Sequence, residues 1–284
     1  MKVLVCDPIS QTGIDFLKQQ EGLEVSVLDR CHSEKELLPL VGDVSAMAVR
    51  SETKVTKALL EAAPEMKIVG RAGVGVDNID IEAATQNGVI VMNTPGGNTI
   101  ATCELTFSMM MALARNIPQA HADLVAGRWN RSQWAGVELA DKTLGIIGLG
   151  RIGRMVAKRA AAFGMRCIAH DPFVAEESAL RVGVEMRSLE DLMAESDFVT
   201  LHLARTPETV GLLDAEMLKR SKPGLRLVNV ARGGIVDEEA LAEAVRAGIV
   251  AGAAIDVFAE EPTTVSPLFG LPGVIVTPHL GAST

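Results

Sequence analysis

Short apolar segments recur about every 22 residues along the first third of the chain. Each has the length of a buried β-strand, and the stretches between consecutive segments show helical spacing. The apolar segments cover residues 2–6, 23–28, 45–49, 67–71 and 89–93, and the helical patterns cover 12–20, 33–40, 56–63 and 81–87. Strands that alternate with helices at this spacing predict βαβ units and a parallel sheet.

A second series of strand-like segments begins near residue 143. The segments cover 143–147, 165–169, 183–186, 198–202, 225–230, 251–256 and 274–277, with helical patterns notably over 214–220 and 237–247. Six or seven strands of this kind are typical of a doubly wound parallel sheet. The turn-forming cluster NTPGGN, residues 93–98, separates the two series and predicts a boundary between two α/β domains near residue 96.

The pattern predicts a further helix over residues 99–115, ended by Asn116 and Pro118. Three consecutive methionines, residues 109–111, lie in this helix and are interpreted as core filling. Both tryptophans of the chain, Trp129 and Trp134, follow beside arginines. Aromatic residues next to arginine favour a subunit interface, and two tryptophans packed under a loop explain the same pattern equally well.

Residues 144–153, LGIIGLGRIG, place a G-x-G-x-x-G turn between a short apolar strand and an Ala-rich helical stretch. Gly148, Gly150 and Gly153 are the glycines of this turn, which brings the helix N-terminus and its N–H groups to a pyrophosphate. Asp171 follows the next strand about 20 residues later, where a carboxylate binds the adenosine ribose. Its charge would repel a 2′-phosphate, so the predicted cofactor is NAD. The alternative is a glycine-tight turn in an ordinary α/β protein.

Three chemically complementary residues follow late strands of the second series. Arg232 follows VNVA, Glu261 follows AIDVFAE and His279 follows VIVTP. A histidine can remove the proton of a secondary alcohol near neutral pH, and a neighbouring carboxylate stabilises its charged form. An arginine can hold a substrate carboxylate and polarise the forming carbonyl. We therefore predict this trio as the catalytic residues; a salt-bridge arginine, a solvated glutamate and a loop histidine are the alternative readings.

Two arginines stand at strand ends in the first series, Arg50 and Arg71. Ligands bind beyond the carboxyl ends of strands in open α/β sheets, and the arginine fork suits phosphate and carboxylate. Gly73 lets the backbone approach a ligand beside Arg71. The pair therefore favours an anionic small-molecule substrate over a role in surface solubility.

Composition narrows the classes of protein that remain. The net charge of −9 argues against a nucleic-acid partner, and no apolar run reaches the length of a membrane span. Met1 leads directly into a strand, so we expect no signal peptide and a cytoplasmic location. The four cysteines, Cys6, Cys31, Cys103 and Cys167, form no C-x-x-C pair, and we expect small buried hydrophobes without a disulfide or a metal site.

Several stretches together resemble one family, the D-isomer-specific 2-hydroxyacid dehydrogenases, and within it the phosphoglycerate dehydrogenase branch of serine biosynthesis. The matching stretches are GRAGVGVDNID (70–80), VMNTPGGN (91–98), LGIIGLGRIG (144–153), HDPF (170–173), VNVARGGIVDEEAL (228–241), AAIDVFAEEP (253–262) and TPHLGAST (277–284). The resemblance implies a flavodoxin-like substrate-binding domain over 1–96 and a Rossmann NAD-binding domain over 97–284. It implies NAD-dependent oxidation of 3-phosphoglycerate to 3-phosphohydroxypyruvate.

The resemblance also assigns residues to roles. It implies the catalytic set already derived, with His279 exchanging the proton. The implied substrate residues are Arg50, Ser51, Arg71, Gly73 and Asn98. Beyond the glycines of the turn, the implied cofactor residues are Val74, Arg151, Ile152, Asp171, Leu203, Val230, Ala231, Arg232, Asp256, His279, Leu280, Gly281 and Ala282.

Alternatives remain within and outside this activity. A dehydrogenase of another D-2-hydroxy acid, of the glyoxylate or lactate type, would need no second anion site. A nucleotide-sensing scaffold similar to the C-terminal-binding-protein corepressors would share the fold and the three predicted catalytic residues. The family's chain continues past the TPHLGAST stretch as a helix that returns to the first domain, so we expect the first domain to lack that helix here. On family grounds we expect a homodimer or a higher homo-oligomer.

Overall fold

The computed structural model describes every residue from Met1 to Thr284. The chain divides into two compact units, Met1–Asn98 and Thr99–Thr284. The first unit contains the strands β1 Lys2–Val5, β2 Glu24–Val27, β3 Ala46–Val49, β4 Ile68–Arg71 and β5 Ile90–Asn93. Its helices are α1 Gln11–Lys18, α2 Glu34–Leu37 followed by a 3₁₀ turn Leu38–Leu40, α3 Lys57–Glu61 and α4 Ile81–Gln86.

The second unit opens with two helices, α5 Thr99–Ala114 and α6 Ile117–Val125. Its strands are β6 Thr143–Ile147, β7 Arg166–His170, β8 Glu185–Met186, β9 Phe198–Leu201, β10 Leu225–Asn229, β11 Val250–Ile255 and β12 Val274–Val276. Its remaining helices are α7 Arg151–Ala162, α8 Glu176–Leu180, α9 Leu189–Glu195, α10 Ala215–Lys219 and α11 Glu238–Arg246.

Both sheets are parallel throughout and doubly wound. The first has the order β2-β1-β3-β4-β5, the flavodoxin-like arrangement. The second has the order β12-β11-β10-β9-β6-β7-β8, which is the Rossmann order with one strand added beyond the sixth. The predicted fold class is therefore confirmed. The strand order reverses between β1 and β3 in the first sheet and between β6 and β9 in the second, where such sheets bind ligands.

Side-chain caps determine where several helices of the first unit begin. Ser10, Thr56 and Asp80 have extended backbones, and each side-chain oxygen accepts a backbone N–H three residues later. Each such bond satisfies a donor that has no partner within its helix. The predicted helices of this unit are confirmed, with ends that differ by at most three residues.

The pattern missed helix α6. The prediction ended the preceding helix at Asn116 and Pro118, whereas the structure starts a new helix there. Asn116 adopts a left-handed conformation with φ of 51°. Pro118 lies in the first turn of α6, where backbone N–H groups have no partner within the helix, so the proline costs no helical hydrogen bond. The proline therefore marks the start of a helix as well as the end of one.

Helix α5 is largely buried in the second unit, where it packs against α7, β10 and β11, and its exposed positions Ile100, Glu104 and Ser108 form one stripe. Met109 and Met110 are almost fully buried and Met111 packs partly buried against the same cluster, which confirms their interpretation as core residues. None of the helices, α5 included, combines the length and the apolar composition needed to cross a bilayer.

The prediction for the cysteines was wrong at one position. Cys6, Cys103 and Cys167 are buried as expected, and burial raises the pKa of Cys6 to about 12. Cys31 is only partly buried, because it lies in the loop after β2 and its thiol donates to Glu52 Oε2 at 2.6 Å. That hydrogen bond raises the pKa of Cys31 to about 12.

We predict that Phe198→Ala destabilises the second unit by about 3–5 kcal/mol, because this ring is fully buried in the central strand β9. Phe173→Ala is the matched control: its ring is 95% exposed, so its removal should change stability by less than about 0.5 kcal/mol. Urea unfolding followed by tryptophan fluorescence measures this, since both tryptophans lie in the second unit. Equal midpoints for the two variants would contradict the assigned core.

Candidate functional site

Each glycine of the turn after β6 is required, or leaves space, for a different physical reason. Gly148 has φ of +94°, and a Cβ there would lie 2.6 Å from the carbonyl oxygen of His202. A Cβ on Gly153, in the first turn of α7, would overlap the carbonyl oxygen of Gly148. Gly150 caps α7, and a Cβ there would meet no atom within 4 Å. Two glycines thus permit close packing, and the third leaves open space beside the helix N-terminus that fits a phosphate.

Asp171 connects this turn to the end of the neighbouring strand. Its Oδ2 accepts the backbone N–H of Leu149 at 2.8 Å, and its Oδ1 accepts the N–H of Phe173 at 2.9 Å. A carboxylate has about four acceptor positions. Asp171 can therefore hold the turn and still accept ribose hydroxyls, so the residues present fit the dinucleotide that the sequence predicts.

The structure brings His279 and Glu261 together. His279 Nδ1 lies 2.5 Å from Glu261 Oε2, and Glu261 Oε1 accepts the N–H of Phe258 at 2.8 Å. Both side chains remain accessible, at 42% for His279 and 31% for Glu261. The bond from Glu261 raises the pKa of His279 against the opposing effect of burial. Burial disfavours the ionised form of Glu261, but the hydrogen bonds from His279 and Phe258 outweigh it and lower the pKa of Glu261.

A buried carboxylate shapes the loop that carries His279. Asp256 follows β11, and its Oδ1 accepts the Thr277 hydroxyl at 2.6 Å and the Leu280 N–H at 2.7 Å. Its Oδ2 accepts the Gly281 N–H at 2.9 Å, and its backbone oxygen accepts the His279 N–H at 2.8 Å. Burial raises the pKa of Asp256 above its ordinary value. These bonds hold His279 in a left-handed conformation with φ of 52°.

Asn229 plays the corresponding role for Arg232. Asn229 is almost fully buried at the end of β10; its Oδ1 accepts the Ala231 N–H at 3.0 Å and its Nδ2 donates to the Arg232 oxygen at 2.9 Å. Sequence reasoning missed Asn229, although an amide inside the apolar stretch LVNVA was the signal available. Buried polar side chains need partners, and a turn after a strand offers them.

Gly233 brings the Arg232 turn against the loop of Glu261. A Cβ on Gly233 would overlap the carbonyl oxygen of Phe258, so only glycine permits this approach. The positive charge of Arg232 offsets a small part of the rise that Glu261 causes in the pKa of His279, and it adds to the lowering of the pKa of Glu261. The three predicted catalytic residues therefore lie close enough in this unit to interact electrostatically.

In the first unit, the two predicted substrate arginines lie at the carboxyl ends of two adjacent strands. Arg71 ends β4 and Arg50 follows the adjacent strand β3. Asn78 lies between them: its Oδ1 accepts Arg71 Nε–H at 2.8 Å and its Nδ2 donates to the Arg50 oxygen at 2.7 Å. A Cβ on Gly73 would lie 2.5 Å from Arg71 Nη1, so the guanidinium occupies the space that this glycine leaves.

The remaining predicted residues lie as follows. Exposed Ser51 follows Arg50, and Asn98 ends the first unit with a buried Oδ1 that lacks a hydrogen-bond partner. Val74 also belongs to the first unit. The second unit holds Arg151 and Ile152 in the first turn of α7, Leu203 after β9, Val230 and Ala231 after β10, and Leu280, Gly281 and Ala282 after β12.

Three acidic or thiol ligand atoms also converge in the first unit. The ligand atoms of Asp7, Cys31 and Glu52 lie within 4.8 Å of one another at the ends of β1, β2 and β3. The carboxylate of Asp7 already accepts hydrogen bonds from the backbone of Arg50 and from Thr53. The Asp7 carboxylate is therefore already used in hydrogen bonds to the loop after β3, and the Cys31 thiol in its bond to Glu52.

The tryptophan segment combines features of both interpretations. Trp134 is partly buried and its Nε1–H donates to Asp123 Oδ2 at 2.9 Å; the same carboxylate binds Arg128 and Asn130. Trp129 is 77% exposed. One tryptophan is thus packed within the segment and the other offers an apolar surface.

Comparison with known proteins agrees with this geometry. The family model described as the D-isomer specific 2-hydroxyacid dehydrogenase NAD-binding domain matches residues 107–281. A D-3-phosphoglycerate dehydrogenase of Synechocystis is 50% identical over 283 residues, which are 100% of this chain and 50% of the relative. The chain therefore spans about half the length of such curated relatives.

Among the similar solved structures, two examples align with the whole of this chain. The TT0316 protein of Thermus thermophilus is 38% identical with a TM-score of 0.91, and the match covers 91% of that chain. A glyoxylate reductase from Paecilomyes thermophila is 30% identical with a TM-score of 0.92 over 89% of that chain. The predicted NAD cofactor is confirmed by the family match. The chain belongs to the D-isomer-specific 2-hydroxyacid dehydrogenase family.

Proposed function

We propose that this chain catalyses the NAD-dependent oxidation of 3-phosphoglycerate to 3-phosphohydroxypyruvate, the first step of L-serine biosynthesis. The observation that carries the proposal is the His279–Glu261 pair beside Arg232, in a unit whose glycine turn fits a dinucleotide. The 50% identity to a named D-3-phosphoglycerate dehydrogenase over the whole chain supports the substrate.

His279 is the residue that exchanges the substrate proton. Its Nδ1 is bound to Glu261, so Nε2 is the ring nitrogen that takes the proton from the C2 hydroxyl. Glu261 fixes the ring orientation and stabilises the imidazolium that forms, which is the reason for the raised pKa of His279. Bound NAD supplies the nicotinamide that accepts the C2 hydride. The step balances because the C2 hydroxyl becomes a ketone, its proton goes to His279, and the C2 hydride would go to bound NAD.

Arg232 binds the substrate carboxylate and polarises the C2 oxygen as the carbonyl forms. The Asn229 side chain fixes the backbone turn from which Arg232 extends, so the guanidinium is positioned before substrate binds. Its positive charge opposes, but does not reverse, the rise that Glu261 causes in the pKa of His279.

Arg50 and Arg71 bind the additional anionic group of phosphoglycerate. An acid with both a phosphate and a carboxylate needs more cationic groups than Arg232 alone provides, and guanidinium binds either anion bidentately. The unpartnered Oδ1 of Asn98 is a further polar atom that a substrate hydroxyl can satisfy. We also propose a cytoplasmic homodimer or higher homo-oligomer in which the exposed face of Trp129 contributes to subunit contact.

A substrate panel tests the assignment. NADH formation by the 284-residue chain is followed with 3-phosphoglycerate, glycerate, lactate and 2-hydroxyglutarate, with the Synechocystis relative as the assay reference. We expect phosphoglycerate to give a kcat/KM at least tenfold above the other acids. Equal or better turnover of an unphosphorylated acid would replace the proposal with a dehydrogenase of the glyoxylate or lactate type, which the similarity to a glyoxylate reductase favours as second candidate.

We predict that His279→Ala lowers kcat by roughly 10²- to 10⁴-fold, the usual contribution of a general base. The dissociation constant for NAD, measured by calorimetry, should change less than about twofold. His121→Ala, on the exposed face of α6, is the matched control and should retain wild-type kcat. Parallel loss of turnover and NAD binding in His279→Ala would assign His279 a structural role.

Replacing Glu261 should change the titration of His279. Glu261→Gln removes the negative charge that stabilises the imidazolium, so the pKa of His279 should fall. Since alcohol oxidation needs neutral His279, the rise of kcat/KM with pH should begin at lower pH in this variant. NMR titration of the ring protons measures the pKa directly, with Glu260→Gln as a neighbouring exposed control. An unchanged His279 pKa would mean that Glu261 does not govern its protonation.

A further inference from the structure

Asn78 occupies an unusual position in the first unit because one side-chain amide connects three separate groups. Its Nδ2 donates to the backbone oxygens of Arg50 at 2.7 Å and Thr53 at 2.6 Å, and its Oδ1 accepts Arg71 Nε–H at 2.8 Å. Only one orientation of the amide satisfies this set, since the two carbonyls require donors and the guanidinium requires an acceptor. Both amide hydrogens and the amide oxygen are therefore used.

The loop from Arg50 to Thr53 is held from two sides. Buried Asp7 accepts the backbone N–H of Arg50 at 2.5 Å and of Thr53 at 3.2 Å through Oδ2, and the Thr53 hydroxyl at 2.6 Å through Oδ1. Asn78 binds the carbonyl oxygens of the same two residues. The N–H groups and the carbonyl groups of the loop are thus each bound by a different side chain, one after β1 and the other after β4.

The Arg71 side chain is restrained by the same amide. Its Nε–H is bound to Asn78, and its outer guanidinium lies over the space left by Gly73. Because the guanidinium is planar, a hydrogen bond at Nε restrains the orientation of the whole group. The contact therefore determines the direction in which the fork extends relative to the Arg50 loop.

We propose that Asn78 is a positioning residue that sets the spacing between the Arg50 loop and the Arg71 guanidinium, and thereby selects an acid with two anionic groups over one with a single group. The geometric part stands on the hydrogen bonds alone. The substrate part rests on the proposed function. Asn78 itself needs no contact with substrate.

Two variants distinguish the contact of Asn78 with Arg71 from its contacts with the Arg50 loop. Asn78→Ala removes all three bonds, whereas Asn78→Asp keeps an acceptor for Arg71 and removes both donors to the loop. Asn87→Ala is the matched control, because that amide binds the Ala83 oxygen at the end of α4 and touches neither arginine. Circular dichroism establishes that each variant is folded.

Hydrogen exchange provides a readout that does not depend on activity. We expect amide exchange at Arg50 and Thr53 to be at least about tenfold faster in both Asn78 variants, as expected when local opening becomes easier. The Arg71 Nε–H resonance should remain protected in Asn78→Asp and be lost in Asn78→Ala. Asn87→Ala should leave both signals as in the wild type.

Substrate selectivity tests whether Asn78 favours an acid with two anionic groups. In both Asn78 variants the KM for 3-phosphoglycerate should rise at least tenfold while the KM for glycerate changes less than about threefold, with NAD affinity unchanged. Equal increases for the two acids, or exchange rates matching those of Asn87→Ala, would overturn the proposal. If wild-type protein does not oxidise phosphoglycerate, the proposed function fails, and the exchange data still decide whether Asn78 positions the loop and Arg71.

Discussion

The buried carboxylate of Asp256 is the constraint on which the chemistry of the second unit depends. It accepts hydrogen bonds from a hydroxyl and two backbone N–H groups of the loop after β12, while its own backbone oxygen accepts the N–H of His279. An ionised group this deeply buried is tolerated only when such donors surround it. The loop therefore cannot relax independently of β11, and the histidine meets Glu261 as a consequence.

A polar side chain that binds backbone groups of a turn is found after three other strands of this molecule. Asn229 binds the turn of Arg232, Asp7 binds the loop of Arg50, and Asp171 binds the glycine turn. In each case a short polar side chain at the end of a parallel strand satisfies backbone groups that the sheet leaves unpaired. The sheets thus position functional side chains through polar residues that need not touch a ligand.

The sequence predicted the structural features that have a periodic pattern or a recognisable motif. Strand spacing predicted both sheets, and the glycine motif with Asp171 predicted the dinucleotide turn. Asn78 and Asn229 were missed because a single amide has no periodicity, and its partners are set by loops that converge only in the folded chain. Cys31 was misassigned for the same reason: nothing in its neighbourhood along the chain indicates Glu52, 21 residues away. The contacts of Arg232 with its neighbours likewise depend on close packing at Gly233.

The double use of Asp171 limits how this chain can change its cofactor preference. The carboxylate that should discriminate between ribose and its 2′-phosphate also holds the Leu149 N–H inside the pyrophosphate turn. A residue without a side-chain acceptor, such as alanine, would remove the charge but leave that N–H without its acceptor and loosen the turn for both cofactors, whereas the amide oxygen of asparagine could still accept it. A productive change of preference would therefore need a neutral side chain at position 171 that still accepts the Leu149 N–H.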